Sequence, residues 1–395
     1  MFAKQRIYYS DIYDSELPQI SVLIPMHNEE KVLHNVLNSL LNCDYDFSKL
    51  EIIPINDNST DKTGELLNWY HQQHAFIKPL HRDTENRGKS AGLNDALKIA
   101  KGEIIVIFDA DYRPNKKALK GLATAFSNPE VGAVMGRVIP YNTPKNLLTK
   151  LLNIERSGGY QADQQARYNL KLIPQYGGTV GAFRKDLVKQ LGGFNPKILA
   201  EDTEITFKLL LNGYKVIYAN DIECYEQSPE TWKIRGKQVR RWSRGHNSVL
   251  YHYLFKVIFS TKISLKEKID GVMLLFIYLI PFILLLAIID SLALFFLGEM
   301  SVFSSVWALL FIGAYNSYGN FAPFYQMATA LMMDNRKEDL LLLPLMTFSF
   351  YFYIWYISLG FLDSILDLVT ARNVDWVKTK RFDDEEIVQK GSESL

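Results

Sequence analysis

The pair of side chains most suggestive of chemistry is Asp109-Ala-Asp111, which follows directly on the apolar run EIIVIF. Carboxylates one residue apart at a strand end can hold a hard divalent cation by one or two ligands and leave its other positions to diphosphate oxygens. That is metal-assisted departure of a leaving group. Asp57 ends a second apolar run, EIIPIN, where it can hydrogen-bond a base or ribose edge. Arg87-Gly88-Lys89, just before a helical pattern, offers cationic and backbone donors to a nucleotide. Glu201-Asp202 precede the apolar helix Ile205 to Leu211. One of these carboxylates can cap that helix, and the other can take a proton from an acceptor hydroxyl. An aspartate with a reference pKa of about 3.9 is ionised at neutral pH and needs no unusual tuning for this. Gln238, Arg241 and Trp242 stand at i, i+3 and i+4, on one helical face. An amide, a guanidinium and an indole together suit diphosphate binding by the Arg and sugar stacking on the Trp. Gly177-Gly178-Thr179 with Gly181 permits a close backbone approach or a tight turn.

These residues need a frame that gathers strand ends. Ile20 to Pro25 predicts a strand and Val32 to Leu41 a helix. Glu51 to Ile55 predicts a second strand, Thr63 to Gln73 and Ser90 to Lys101 two more helices, and Glu103 to Phe108 a strand buried on both faces. Alternating strands and helices imply a mostly parallel α/β sheet, whose ligands bind beyond the carboxyl ends of the strands. No internal repeat is visible, and the tail from Asp383 to Leu395 is acidic and polar, as in solvated segments.

The 44 basic and 43 acidic side chains nearly cancel, so no global field recruits nucleic acid. The two cysteines, Cys43 and Cys224, are far apart, which argues against a disulfide scaffold and for small core residues. The first residues lack the apolar core of a signal peptide, so the first unit is expected to stay in the cytoplasm. The composition changes further on. Val272 to Ile289 is an uncharged run of 18 residues, enough to approach the thickness of a bilayer core. Leu340 to Leu362 is a second such run, whose aromatics favour an interface or protein contact over bare lipid. Val302 to Met333 is apolar but carries Asn316, Asn320, Gln326 and Pro323. Between Arg244 and Lys268, apolar residues alternate with Lys256, Lys262, Lys266 and Lys268, as in a basic amphipathic helix in the headgroup plane. Positive-inside logic puts these lysines and Arg372, Lys378, Lys380 and Arg381 on the cytoplasmic side of a cell membrane crossed more than once. The expected division is a catalytic unit over residues 1–245, interfacial and transmembrane helices over 246–370, and a cytoplasmic tail over 371–395.

Taken in order, SVLIPMHNEE, IND, NRGKSAGLN, DAD, GGTVGAFR, AED and QVRRW resemble the family 2 glycosyltransferases. The likeness is nearest to membrane synthases of β-linked polysaccharides such as cellulose, chitin, hyaluronan and poly-N-acetylglucosamine, and covers about Ile20 to Gly245. Trp376, Thr379 and Arg381 are similar to a loop that closes over the nucleotide in some of these enzymes. The sequence departs from the cellulose pattern at Ala200, where that pattern has Thr. The resemblance implies a GT-A fold and an inverting hexosyltransferase with a nucleotide-sugar donor, expected to be a UDP-sugar. It implies Asp57 near the base, Asp109 and Asp111 at the nucleotide and at Mg2+ or Mn2+, and Asp202 as base. Gln238, Arg241 and Trp242 would lie beside the diphosphate and acceptor sugar, with Lys89 and Glu201 among the substrate contacts. The expected acceptor is a growing polysaccharide, with a lipid receiving a single sugar as the alternative. Membrane lipid, a homo-oligomer or a helper subunit are the other expected partners.

Overall fold

A computed structural model of the chain describes residues 13–298 and 321–370. The strands are β1 Ile20–Met26, β2 Leu50–Asp57, β3 Leu80–Arg82, β4 Ile104–Ile107, β5 Arg113–Pro114, β6 Val131–Pro140, β7 Gly181–Arg184 and β8 Lys215–Glu226. They form one sheet in the order β3-β2-β1-β4-β7-β6-β8-β5. The helices are α1 Leu33–Leu41, α2 Thr63–Gln73, α3 Lys89–Ile99, α4 Ala118–Thr124, α5 Leu147–Ser157, α6 Gln165–Asn169, α7 Lys185–Gln190, α8 Glu201–Leu211, α9 Trp232–Ile258, α10 Leu265–Phe276 and α11 Ile280–Leu297, then α12 over residues 321–333 and α13 Met346–Thr370. A π-helical turn, Gly158–Gln164, joins α5 to α6.

The first half of the sheet is as the alternating pattern predicts: β1 pairs in parallel with β2 and β4, and β2 with β3. The rest departs from a mostly parallel sheet. β7 runs antiparallel to both β4 and β6, and β5 antiparallel to β8, so the sheet is mixed. The short run Gly181–Arg184 is too brief for hydropathy to reveal it, and it pairs with β4 while Phe183 packs against Tyr176 and Phe194. The apolar runs of β1, β2 and β4 are buried almost throughout, and their ends deliver polar residues to one edge. Cys43 and Cys224 are buried free thiols, and burial pushes the Cys43 thiol up to about 12.

α8 starts at Glu201, so both carboxylates lie in its first turn and Ala200, not an acidic side chain, is the cap. Three carboxylates in that turn still complement the positive end of the helix.

The C-terminal elements correct several boundaries. The apolar run expected at Val272 to Ile289 is broken: α10 ends at Phe276 and α11 begins at Ile280. Pro281, in the first turn of α11, has no N–H to donate and cannot extend the preceding helix. The segment expected as one amphipathic helix is likewise divided between the end of α9 and the start of α10. Ile280–Leu297 and Lys337–Thr370 are long and apolar enough to cross a membrane by length and composition. The middle run lies partly outside the described residues. Its described part, α12, packs on the sheet unit, where Gln326 Nε2 donates to the Gly158 carbonyl (2.9 Å) and Asp334, just after the helix, pairs with Arg137 (2.5 Å).

α9 runs unbroken through residue 245, and α13 lies against it. Arg240 and Arg244 each make a two-pronged pair, with Asp363 (2.6 and 2.7 Å) and Asp367 (2.5 and 2.6 Å) respectively. Ser243 Oγ donates to the Ile357 carbonyl (2.8 Å), and a Cβ on Gly360 would run into the Arg240 carbonyl. Both pairs are partly solvated, so each contributes up to about 1 kcal/mol. The double variant Asp363→Asn/Asp367→Asn is therefore expected to loosen the C-terminal half of α13 without unfolding the sheet. Hydrogen exchange should show faster amide exchange in α13 and unchanged protection in β1, β2 and β4; an unchanged α13 would count against this docking.

Candidate active site

A cleft of about 280 Å³ opens at the carboxyl ends of the strands. Asp57 comes from the end of β2, Asp109 and Asp111 from the turn after β4, and Glu226 from the end of β8. Lys89 opens α3, Glu201 and Asp202 open α8, and Gln238, Arg241 and Trp242 project from α9. The nine of these residues singled out from the sequence thus line one cavity, together with Gly88, Gly177 and Gly178, whereas Arg87, Thr179 and Gly181 do not line it. Trp376, Thr379 and Arg381 lie outside the described residues.

Lys89 ties the centre together. Its ammonium pairs with Asp109 (2.9 Å) and Glu201 (3.1 Å) and donates to the Gly178 carbonyl (2.6 Å). Burial works against its charge, but Asp109 and Glu201 outweigh this and raise its pKa above that of an ordinary lysine. Asp57 has a structural duty as well. One oxygen accepts from Arg82 (2.5 Å) and the other from the Gly88 N–H (2.7 Å), which fixes the loop leading to Lys89.

Asp202 departs from the reference value of an aspartate. Burial, then the neighbouring Glu201 charge, raise its pKa to about 7, partly offset by the Thr203 N–H it accepts (2.6 Å) and by Lys89. Gly178 allows this crowding. Its φ is +85°, and a Cβ there would lie 2.9 Å from Asp202 Oδ2.

Sequence reasoning missed the opposite wall. Arg156 pairs with Glu226 (2.6 Å), which also accepts from the Tyr112 hydroxyl (2.6 Å). Glu226 ends β8 as Asp57 ends β2, so the strand-end rule would have found it had β8 been recognised. Two guanidiniums approach the Trp242 indole, with the Arg235 carbon 4.8 Å and the Arg156 carbon 5.6 Å from its ring centroid. Beyond Trp242 the cleft reaches His246 and Tyr278, the latter just before α11. Burial lowers the His246 pKa to about 4, so its imidazole is neutral, set between the Leu274 carbonyl (2.9 Å) and Thr203 Oγ1 (3.5 Å).

The charge balance bears on a metal. Seven carboxylates line the cleft, Glu29, Asp57, Asp109, Asp111, Glu201, Asp202 and Glu226, against the cations Lys89, Arg156 and Arg241. Among the described residues, no three His, Cys, Asp or Glu side chains form a ready-made metal cage. Hard oxygen donors in an acidic cleft without a cage fit a Mg2+- or Mn2+-type ion held by one or two carboxylates and completed by phosphate oxygens.

Residues 21–192 match the model of glycosyl transferase family 2. The chain is 32% identical to a probable glycosyltransferase, YdaM, of Bacillus subtilis over 385 residues, 93% of this chain and 88% of that protein. The chain belongs to glycosyl transferase family 2 and is a glycosyltransferase. It is also 31% identical over 289 residues to a beta-monoglucosyldiacylglycerol synthase of Nostoc sp., covering 71% of this chain and 60% of that longer protein. Among solved structures, this family 2 chain is similar to the mannosyltransferase PcManGT from Pyrobaculum calidifontis, solved with GDP-Man and Mn2+. The TM-score is 0.57 at 22% identity, covering 85% of this chain and 89% of that one, a likeness of fold. The GT-A-like mixed sheet and its helical C-terminal region agree with the fold expected from the motifs.

Proposed function

We propose that this glycosyltransferase moves one sugar, with inversion, from a nucleoside-diphosphate sugar to the hydroxyl of a membrane lipid. The observation that carries the reading is the cleft itself. Its strand-end carboxylates suit a cation-borne diphosphate, Asp202 stands across from them on α8, and the far end reaches Tyr278 beside an apolar helix. The similarity to a glycolipid synthase favours a lipid over the growing β-linked polysaccharide first expected. The catalytic unit over 1–245, the interfacial and apolar helices over 246–370, the tail over 371–395 and a membrane location with a cytoplasmic active site belong to this proposal. In it α9 is shared by the first two units.

In this reading Asp57 and the Arg87-Gly88-Lys89 turn hold the nucleotide, while Asp109 and Asp111 face its diphosphate. A divalent cation, when bound through Asp111, would neutralise charge on that diphosphate. Gln238, Arg241 and Trp242 seat the diphosphate and the acceptor. The Asp202 carboxylate takes the acceptor hydroxyl proton as the oxygen bonds to the anomeric carbon from the face opposite the diphosphate. The bond to the diphosphate oxygen breaks with its electron pair, and nucleoside diphosphate leaves. Displacement from one face inverts the centre.

Asp202 must be deprotonated to act, and its pKa is about 7. kcat/KM is therefore expected to rise as pH increases through about 7, well above the limb near 4 that an ordinary aspartate would give. A rate flat from pH 5 to 8 would remove Asp202 from this role. The function itself is tested by nucleoside diphosphate release in nanodiscs, with a panel of UDP- and GDP-sugars, Mg2+ or Mn2+, and added diacylglycerol. Release by one donor that depends on the lipid supports the proposal, and release indifferent to lipid counts against it.

A further inference from the structure

Helix α13 reaches the Arg235 guanidinium, behind the wall of the cleft, through Tyr353. Tyr353 Oη donates to Glu155 Oε2 (2.6 Å) and accepts from Arg235 Nε (3.2 Å). Arg235 is buried, and its guanidinium also pairs with Glu155, donates to Gln238 Oε1 (2.8 Å), and lies over the Trp242 ring. It lies over the Tyr353 ring as well, 5.1 Å from the centroid. Each of the three guanidinium nitrogens thus has a partner, and two of its neighbours, Gln238 and Trp242, line the cleft. Arg235 itself does not line it.

From this geometry we propose that Tyr353 is a positioning residue for the acceptor: its hydroxyl sets the Glu155–Arg235 pair, which orients Gln238 and the Trp242 indole. This rests on the reading of the Trp242 face as the acceptor wall. A buried cation has few acceptable partners, so losing one acceptor forces the guanidinium to shift. The shift is felt by the amide and indole it contacts. Seating of the apolar helix α13 and readiness of the acceptor wall are thereby linked, while Asp57, Lys89 and Asp109 on the donor side make no contact with this network.

Tyr353→Phe keeps the ring and removes only the hydroxyl. In full-length protein in nanodiscs, the acceptor KM is expected to rise roughly ten-fold, the effect of a lost hydrogen bond to a charged group, with donor KM unchanged. In a Trp242→Ala background the same substitution should add little, because residues acting through one another are not additive. Independently of any acceptor, Tyr353→Phe should shift tryptophan emission, and the shift should vanish in a Trp242→Phe background. A fall in kcat with both KM values unchanged, an effect that persists in full without Trp242, or emission identical to wild type would overturn the proposal. If wild type makes no lipid product, the lipid reading fails, and the emission comparison alone decides the role of Tyr353: a Trp242-dependent shift upholds it and none overturns it.

Discussion

Asp202→Asn is expected to lower sugar transfer by about 10²- to 10⁴-fold, the usual worth of a positioned general base. The substitution preserves size and removes only the capacity to accept a proton. It also removes a buried charge beside Glu201, the second cause of the raised pKa, so the fold should lose no stability. Nucleotide affinity should stay near wild type, because the donor-side contacts of Asp57, Lys89 and Asp109 are intact. Calorimetric titration with UDP beside a transfer assay checks both halves. Transfer at the wild-type rate would mean that another group takes the proton.

Lys89→Met is expected to be the second severe change, for an electrostatic reason. The ammonium contacts both Asp109 and Glu201, and its side chain is 14% exposed. Removing one partner of a buried pair costs about 3 kcal/mol, because the carboxylates left behind are uncompensated. A lower melting temperature and a loss of transfer should follow together. A pH profile separates this from simple unfolding. Lys89 favours the ionised form of Asp202, so without it the Asp202 pKa rises further and the acid limb moves to higher pH. Lys89→Arg keeps the charge and should leave the limb near its wild-type position. If Lys89→Met retains a wild-type limb, the ammonium does not govern Asp202.

Much of the active site was legible because strand ends obey a general rule. Asp57 and Asp109 each follow an apolar run, and in an open α/β sheet such residues face the ligand crevice. Gln238, Arg241 and Trp242 were legible because helical spacing puts them on one face before any partner is known. The partners were not. Arg240 and Arg244 stand four apart, as do Asp363 and Asp367, but 123 residues of chain separate each pair and no local pattern announces that α9 and α13 meet. The state of Asp202 was hidden for the same reason. Its pKa depends on burial and on the Glu201 charge, and burial is set by the fold around α8 rather than by the residue itself. The break between α10 and α11 was readable from Pro281, which the uniform hydropathy of the run concealed.

The central claim is that one sugar is transferred to a lipid, and the size of the product tests it most directly. Wild-type protein in nanodiscs containing diacylglycerol, supplied with a radiolabelled nucleotide sugar and a divalent cation, should place the label in a single lipid-extractable species. Its mass should exceed that of the lipid by one residue of the donor's sugar, and Asp202→Asn should not form it. A ladder or a high-molecular-weight polymer, equally abundant without the lipid, would contradict the account and return the enzyme to polysaccharide synthesis.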